Sequence, residues 1–363
     1  MQKRTIIFTL ALIFIVGIFT FTNAQNTTDT NFENGVKFFQ EKNYSKAVDN
    51  FTKSIRSNPN NVNAYYNRAA SYLYQQKFPE AITDYNKVIE LDPKNINAYN
   101  FRGYAYMQQK DFDSAVKDFS AIIKIDPKLV NAYLTRASIY TQTQKYKEAL
   151  ADYKKAIDIN PTNDTTYIAR ANSYLAQGKQ NEALADFSKA ISLNPSAGNY
   201  YLRARAYAQM KNLTEAITDY SQAIKIKGDF ADAYYFRGIL YLQTDKPKDA
   251  LKDFTKTISI VPNSHNAYFY RAITYERQNK LEDALKDYNK TIELYPQAAG
   301  AYNNRGLIYE KQGRDQEAIK DFTKAIEINP KYAQAYFNRA KVYEKIGNIS
   351  ASQKDYKTAE SLK

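Results

Sequence analysis

The chain has 363 residues and a formal net charge of +13, with 33 Tyr, one His and neither Cys nor Trp. The lack of Cys excludes disulfides and thiolate chemistry, and a lone imidazole, His265, leaves a zinc site or a Ser-His-Asp triad without its usual parts. Neither a Gly-rich phosphate loop nor a His-Glu helix motif is present. We therefore expect no enzyme activity, no metal site and no cofactor.

The first 24 residues differ from everything that follows. Lys3 and Arg4 precede an uncharged, apolar-dominated stretch over 5–21, and small residues stand one and three places before Gln25. This order is typical of a secretory signal peptide, so we expect cleavage before Gln25 and a periplasmic or secreted mature chain. Because about 17 apolar-dominated residues are near the lower limit for spanning a bilayer, an uncleaved N-terminal anchor is the alternative.

A repeat fills the chain from about residue 28 onward. Its turn residues recur 34 positions apart, except for one step of 33 between Pro195 and Gly228, and they are Pro59, Pro93, Pro127, Pro161, Pro195, Gly228, Pro262, Pro296 and Pro330. Self-similarity at this period indicates stacked copies of one supersecondary unit. The ten repeats span 28–61, 62–95, 96–129, 130–163, 164–196, 197–230, 231–264, 265–298, 299–332 and 333–363.

Each repeat carries the pattern of two amphipathic helices joined by a short turn. In the third repeat, Tyr99, Gly103 and Tyr106 fall on one helical face, and Ala115 and Phe119 do so in the second helix. The second helix ends before the turn proline, because the residue preceding Pro is pushed out of the α region. No repeat can bury its apolar face alone, so stacking creates one continuous core.

These columns of small, aromatic and proline residues stay in phase over ten copies, and the chain thereby resembles a tetratricopeptide-repeat protein from about residue 28 to 363. The frequent Trp of the family is Tyr here, as at Tyr65 and Tyr99. The resemblance implies an all-α fold, a right-handed superhelical solenoid of ten two-helix repeats. It also implies that function lies on a concave groove lined by the first helices.

Nine repeats carry an Arg in the first helix and an Asp in the second, whereas repeat 1 has Asn34 and Asn50 instead. Because both partners are lost together, we expect the two residues to pair within a repeat. A structural ion pair is the favoured interpretation, and an Arg ladder that serves a ligand is the alternative. The Arg residues are Arg68, Arg102, Arg136, Arg170, Arg203, Arg237, Arg271, Arg305 and Arg339, and the Asp residues are Asp84, Asp118, Asp152, Asp186, Asp219, Asp253, Asp287, Asp321 and Asp355.

A second correlation has a period of two repeats. The aromatic residue of the second helix alternates without exception between Phe in odd repeats and Tyr in even repeats, from Phe51 and Tyr85 to Phe322 and Tyr356. Four of the five odd repeats also have Gly in the first helix where every even repeat has Ala. Duplication of a two-repeat block explains both patterns, and the sequence alone supplies no physical reason for them.

The candidate binding groove is the first-helix column that the resemblance places on the concave side. We predict that it binds an extended or helical peptide or a protein, because aromatic residues dominate it and charges are few. Tyr201, Tyr235 and Phe269 occupy one column in consecutive repeats and form the predicted hot spot. That these aromatics merely fill the interior is the alternative. The predicted groove residues are Phe32, Tyr66, Asn100, Tyr104, Leu134, Ile168, Asn172, Tyr201, Arg205, Tyr235, Phe269, Asn303 and Phe337.

The last three repeats add further charge to the predicted groove, at Glu276, Arg277, Glu310, Lys311, Lys341, Glu344 and Lys345. The Lys and Asn clamp with which some relatives hold a C-terminal carboxylate does not appear at matching spacing. We therefore do not expect recognition of that kind.

Lysine residues recur on the predicted outer face of the second helices in repeats 7 to 10. We expect them to keep a long array soluble, and contact with an anionic surface, in a structural component of an envelope assembly, is the alternative function. Nucleic acid is not an expected partner, because the core explains the aromatic columns. These lysines are Lys252, Lys256, Lys286, Lys290, Lys320, Lys324 and Lys354.

The last repeat differs from the others at two positions of its second helix. Gln353 and Glu360 stand where the other repeats have only aliphatic residues. Polar side chains there suit a final helix whose outer face meets water.

Overall fold

The structure is a computed structural model that describes residues 29–362. The predicted signal peptide and the alternative membrane anchor lie outside these residues. The described chain is all-α and consists of twenty helices joined by short turns, two helices to each repeat. In chain order they are α1 (Thr30–Gln40), α2 (Tyr44–Ser57), α3 (Val62–Tyr74), α4 (Phe78–Leu91), α5 (Ile96–Gln108), α6 (Phe112–Ile125), α7 (Val130–Gln142), α8 (Tyr146–Ile159), α9 (Asp164–Ala176), α10 (Gln180–Leu193), α11 (Ala197–Gln209), α12 (Leu213–Ile226), α13 (Ala231–Gln243), α14 (Pro247–Ile260), α15 (His265–Arg277), α16 (Leu281–Leu294), α17 (Ala299–Lys311), α18 (Asp315–Ile328), α19 (Ala333–Lys345) and α20 (Ile349–Ser361).

The described residues form two compact units, one up to Lys179 and one from Gln180 onward, which we call the N-terminal unit and the C-terminal unit. Within each unit the second helix of a repeat packs on the first helix of the next repeat. First helices of successive repeats also touch one another, as α3 touches α5 and α13 touches α15. The first helices of each unit therefore form a continuous surface, the first-helix face.

Small and aromatic side chains alternate in the core between first and second helices. The second-helix residues Ala81 and Ala284 are fully buried, and so are the aromatic residues Tyr85, Phe254 and Tyr288. Close approach at Ala leaves room for one large ring per repeat, and burial of such rings is a main source of stability in a helical stack.

In four odd repeats the first-helix Gly lies directly against the Phe ring of the same repeat. A Cβ added at Gly35 would lie 2.6 Å from the ring of Phe51, and one added at Gly306 would lie 2.8 Å from the ring of Phe322. Gly103 and Gly238 face Phe119 and Phe254 in the same way, at 3.0 and 2.9 Å. The Phe ring thus occupies the space of the missing Cβ, which explains why the two residue types vary together in these repeats.

The turn between the two helices of a repeat contains one residue with left-handed φ. Three of these residues are glycines, Gly178, Gly313 and Gly347, with φ from 73 to 82°. The other seven have side chains and φ from 52 to 62°, and they are Lys42, Gln76, Lys110, Gln144, Lys211, Asp245 and Asn279. Side chains rarely adopt this conformation, so most repeats tolerate a strained turn.

The last helix exposes both of its atypical polar residues, Gln353 and Glu360. No helix within residues 29–362 combines the length and apolar character needed to cross a membrane.

Candidate functional site

The predicted Arg–Asp pairs are present within repeats as two-bond contacts. In eight repeats the Nε and Nη2 groups of Arg donate to the two carboxylate oxygens of Asp at 2.5 to 2.9 Å, as Arg136 does to Asp152. The Asp152 side chain is 8% exposed and that of Arg136 18%. Arg170 and Asp186 belong to different units.

The third nitrogen of each guanidinium group makes a contact that the sequence analysis missed. Nη1 of the same eight Arg residues donates at 2.6 to 3.4 Å to a Ser, Thr or Asn side chain on the second helix of the preceding repeat. The acceptor always follows the second-helix aromatic, as Ser120 follows Phe119, and this column is visible in the sequence. Since all three nitrogens are engaged, these Arg residues bind the repeats together and offer no free ladder to a ligand.

The thirteen predicted groove residues lie on the first helices at different depths. Tyr66, Leu134 and Asn303 are buried, with 4%, 8% and 3% exposure, and Arg205 is exposed. The others are half-buried, and they are Phe32, Asn100, Tyr104, Ile168, Asn172, Tyr201, Tyr235, Phe269 and Phe337. Seven belong to the N-terminal unit and six to the C-terminal unit, so they form two separate sets.

An aromatic strip runs along the first-helix face of the C-terminal unit. Ring centroids follow one another at 6.2 Å from Tyr201 to Phe236, 5.1 Å to Tyr235, 5.8 Å to Tyr270 and 5.5 Å to Phe269. All five rings are half-buried. Phe236 and Tyr270 were not predicted, although they occupy the column next to the predicted one. They join the three predicted aromatics into a continuous surface.

The strip also rests on the core. Tyr201 packs 5.8 Å from Tyr220, and Phe269 packs 5.9 Å from Tyr288. Burial raises the pKa of Tyr201 and of Tyr235 above the ordinary tyrosine value. The rings of the strip therefore belong to both the core and the first-helix face, and truncating one will cost stability as well as surface.

The first-helix face of the N-terminal unit is different. Its aromatic pair, Tyr66 and Phe101, is buried against Tyr85 at centroid distances of 5.7 and 6.1 Å. Farther along this unit, the Nδ2 amide group of Asn172 is buried and has no hydrogen-bond partner. This part of the face therefore offers less aromatic surface and one unsatisfied donor.

A directed chain of hydrogen bonds replaces an aromatic contact in repeats 8 to 10. The amide of Asn338 donates to Asn303 at 2.9 Å, Asn303 donates to Asn304 at 3.1 Å, and Asn304 donates to the Tyr288 hydroxyl at 3.1 Å. Tyr288 in turn donates to Oε2 of Glu276. Every donor in the chain points towards Glu276, so the chain ends on a carboxylate at the first-helix face.

The outer lysines of the C-terminal unit have acidic neighbours. Lys252 and Lys286 are both 79% exposed, and their nearest acidic partners, Asp249 and Asp283, lie 3.6 and 3.9 Å away. Lys290 pairs with Glu293 at 2.6 Å. These lysines are therefore exposed to water, but the acidic residues on the same helices reduce the net positive charge of this outer face.

Family models match most of the chain. A tetratricopeptide-repeat model matches residues 62–95, 96–129, 165–197 and 299–332, a TPR-repeat model matches 137–178, 204–245 and 275–313, and a second tetratricopeptide-repeat model matches 322–360. The chain belongs to the tetratricopeptide-repeat family. A comparison with curated proteins gave no match for this TPR chain.

Solved structures of TPR proteins are similar to parts of the chain. A tetratricopeptide-repeat protein from Parabacteroides merdae is 22% identical, with a TM-score of 0.50, and the match covers 67% of this chain and 97% of that one. YrrB, described as a TPR protein with an unusual peptide-binding site, is 26% identical, with a TM-score of 0.45 and coverage of 50% and 95%. MamA is 27% identical, with a TM-score of 0.42 and coverage of 47% and 94%. The likeness to the first of these concerns the fold alone.

Proposed function

We propose that this TPR chain is a non-catalytic scaffold that binds a protein or peptide segment on its first-helix face, outside the cytoplasm. The aromatic strip of the C-terminal unit, from Tyr201 to Phe269, carries the proposal. Half-exposed aromatic rings in a row supply a large contact area at low entropic cost, and such residues dominate binding energy at protein interfaces.

The Arg and Asp residues that recur in nine repeats support a scaffold rather than an enzyme. In eight repeats the Arg side chain donates both to the Asp of its own repeat and to the second helix of the preceding repeat, as Arg136 does to Asp152 and Ser120. Repeated charges that are fully paired hold an array together and are poor candidates for acid and base chemistry. Binding on this scaffold requires neither a metal ion nor a cofactor.

Export rests on the sequence of residues 1–24. The order of basic residues, apolar stretch and small residues before Gln25 favours a cleaved signal peptide. The intact mass of the exported protein should begin at Gln25. A mass that retains Met1 to Ala24 in a membrane fraction would favour the uncleaved anchor instead.

The binding proposal is tested by capture from an envelope extract with matched variants. Ile239 and Ile273 lie on the first-helix face, half-buried, one turn after Tyr235 and Phe269. We expect Ile239→Lys and Ile273→Lys to lose the captured partner. The control pair, Lys252→Glu and Lys256→Glu on α14, should retain it. Circular dichroism of all four variants verifies that they remain folded.

A structural role in an envelope assembly is the second candidate. The exposure of Lys252 and Lys286 favours it, because protruding lysines can contact an anionic surface. Loss of capture with the Lys→Glu variants and retention with the Ile→Lys variants would support this role and contradict binding on the first-helix face.

A further inference from the structure

Three glutamates occupy one position of the first helix in successive repeats. Glu276, Glu310 and Glu344 stand seven residues after Phe269, Asn303 and Phe337, so they lie two helical turns along the same face. Within the described residues none of the three carboxylates has a Lys or Arg nitrogen within 4 Å. They differ in how the second helix supports them.

Only Glu276 is held from inside the core. The fully buried Tyr288 donates its hydroxyl to Oε2, and Asn304 supports that hydroxyl from the next repeat. Glu344 accepts the hydroxyl of half-buried Tyr356 at 3.0 Å. Glu310 has no such donor, because the second helix of its repeat carries Phe322.

The cations near this face are engaged elsewhere. Arg277 donates to the carbonyl oxygen of Leu242 at 2.7 Å, and Lys345 pairs with Asp315 at 2.6 Å. Lys341 lies over the ring of Phe337 at 5.2 Å. Lys311 attracts Glu276 without forming an ion pair within 4 Å. The half-buried carboxylate of Glu276 is thus oriented, only partly compensated and still accessible.

The surroundings of Glu276 limit what can reach it. Phe269 and Ile273 precede it by seven and three residues on the same helix and are half-buried. A ligand on the aromatic strip therefore meets apolar surface first and a fixed negative charge next. The group that suits this order is a flexible, positively charged side chain with an apolar stem, which both Lys and Arg provide.

We propose that Glu276 binds a Lys or Arg side chain of the peptide that lies along the aromatic strip, with Tyr288 as its positioning residue. This inference rests on the proposed function and specifies the chemistry of the partner. A carboxylate that is already oriented pays less ordering entropy on binding than a mobile one, so Glu276 should contribute more than Glu310.

The test uses random dodecapeptides displayed on phage. Residues 25–363 of the wild type and the variants E276Q and E310Q are each subjected to selection under the same conditions. Gln at position 276 can still accept the Tyr288 hydroxyl but has no charge. We expect wild type and E310Q to enrich peptides in which Lys or Arg adjoins apolar residues, and E276Q to lose only the preference for the basic residue.

The outcomes separate this inference from the proposed function. If wild type enriches apolar peptides and E276Q enriches them with the same content of Lys and Arg, Glu276 is not the receptor, although the first-helix face still binds peptide. If wild type enriches no peptide at all, peptide binding itself fails, and the inference falls with it. Enrichment of acidic peptides would also overturn the assignment.

A selected peptide then allows the contact to be measured directly. We expect E276Q, and norleucine in place of the basic residue, each to weaken binding about tenfold, and the two changes together to cost little more than one. Y288F should weaken binding by a smaller factor, about threefold, for the basic peptide and leave the norleucine peptide unaffected. Equal effects of Y288F on both peptides would assign Tyr288 a merely structural role.

Discussion

Tyr85 in the N-terminal unit and Tyr288 in the C-terminal unit occupy the same position of the repeat, and both are fully buried. The hydroxyl of Tyr85 has no hydrogen-bond partner, and its ring stacks on Phe101 at 6.1 Å. The hydroxyl of Tyr288 bonds both Glu276 and Asn304. One position of the framework therefore supports an apolar contact in one unit and a polar chain in the other.

The difference arises from two neighbouring columns rather than from the tyrosine. The residue twelve before Tyr85 is Leu73, which cannot accept a hydrogen bond, whereas the residue twelve before Tyr288 is Glu276. The residue sixteen after Tyr85 is Phe101, whereas the residue sixteen after Tyr288 is Asn304. Burial raises the pKa of Glu276, which means that the carboxylate is partly withdrawn from water. A constant framework thus presents different chemistry on its first-helix face through substitutions at a few positions.

Both units contain the same Arg–Asp pairs within their repeats. Breaking one pair should therefore have the same large effect on stability in each unit. We expect D152N and D253N each to lower the free energy of unfolding by about 2 to 4 kcal/mol, because a largely buried Arg loses its charged partner. Urea unfolding of the full chain measures both. The exposed Asp158, which pairs with Lys154, is the control, and D158N should change the free energy of unfolding little.

In a double-mutant cycle, stronger coupling of Asp152 to Arg170 than to Arg136 would refute the assignment of the ion pair to one repeat.

The Gly–Phe contact should also be common to both units, with a graded effect. We expect G35A and G306A to lower the free energy of unfolding by about 1 to 3 kcal/mol, since the new Cβ would meet a buried ring. G103A should cost less, because its closest ring atom is 3.0 Å from the added Cβ. Thermal unfolding ranks the three variants. G198A, which meets only Ser196 at 3.9 Å, is the control for added helix propensity, and equal effects at all four positions would contradict the steric account.

Removing the hydroxyl group should affect stability differently at Tyr288 and at Tyr85. Y288F leaves Glu276 and Asn304 without their partner, so we expect a loss of about 1 to 2 kcal/mol in the free energy of unfolding. Y85F removes a buried hydroxyl that bonds nothing, so stability should stay unchanged or rise. Urea titrations of both variants provide the comparison. A similar loss of unfolding free energy in both variants would contradict the difference in hydrogen bonding between the two hydroxyl groups.

The smallest expected effect concerns the turns. Lys110 has a left-handed φ of 62°, whereas Gly313 occupies the same position of repeat 9 with φ 73°. We expect K110G to raise the free energy of unfolding by about 0.5 to 1 kcal/mol, and G313K to lower it by a similar amount. A shift of the unfolding midpoint in the opposite direction for either variant would contradict the interpretation that a side chain strains this turn.

The sequence was sufficient for the fold because the same columns recur ten times. The spacing of Pro59, Pro93 and Pro127 predicted the repeat, and the joint loss of Arg and Asp in repeat 1 predicted pairing within repeats. Both are confirmed. The polar column that follows the second-helix aromatic is visible in the sequence, but periodicity does not show that Arg contacts it. Its residues vary among Ser, Thr and Asn where the contact is made, and they lie in the preceding repeat.

The candidate site was only partly predictable. Tyr201, Tyr235 and Phe269 were identified by their column, but their contacts with Phe236 and Tyr270 depend on how neighbouring helices are offset. Because the three rings are half-buried, truncating one of them to Ala would remove core contacts as well as binding surface. The chain of hydrogen bonds from Asn338 to Glu276 was not predicted, because it links residues of several columns across three repeats.

We expect a ligand to contact the first helices and to leave the outer faces of the second helices free. Hydrogen–deuterium exchange of residues 25–363, with and without a selected basic–apolar peptide, tests it most directly. We expect the bound peptide to slow exchange in α11, α13 and α15 and to leave exchange in α14, α16 and α18 unchanged. Protection confined to α14, α16 and α18 would contradict it and place binding on the lysine-bearing face.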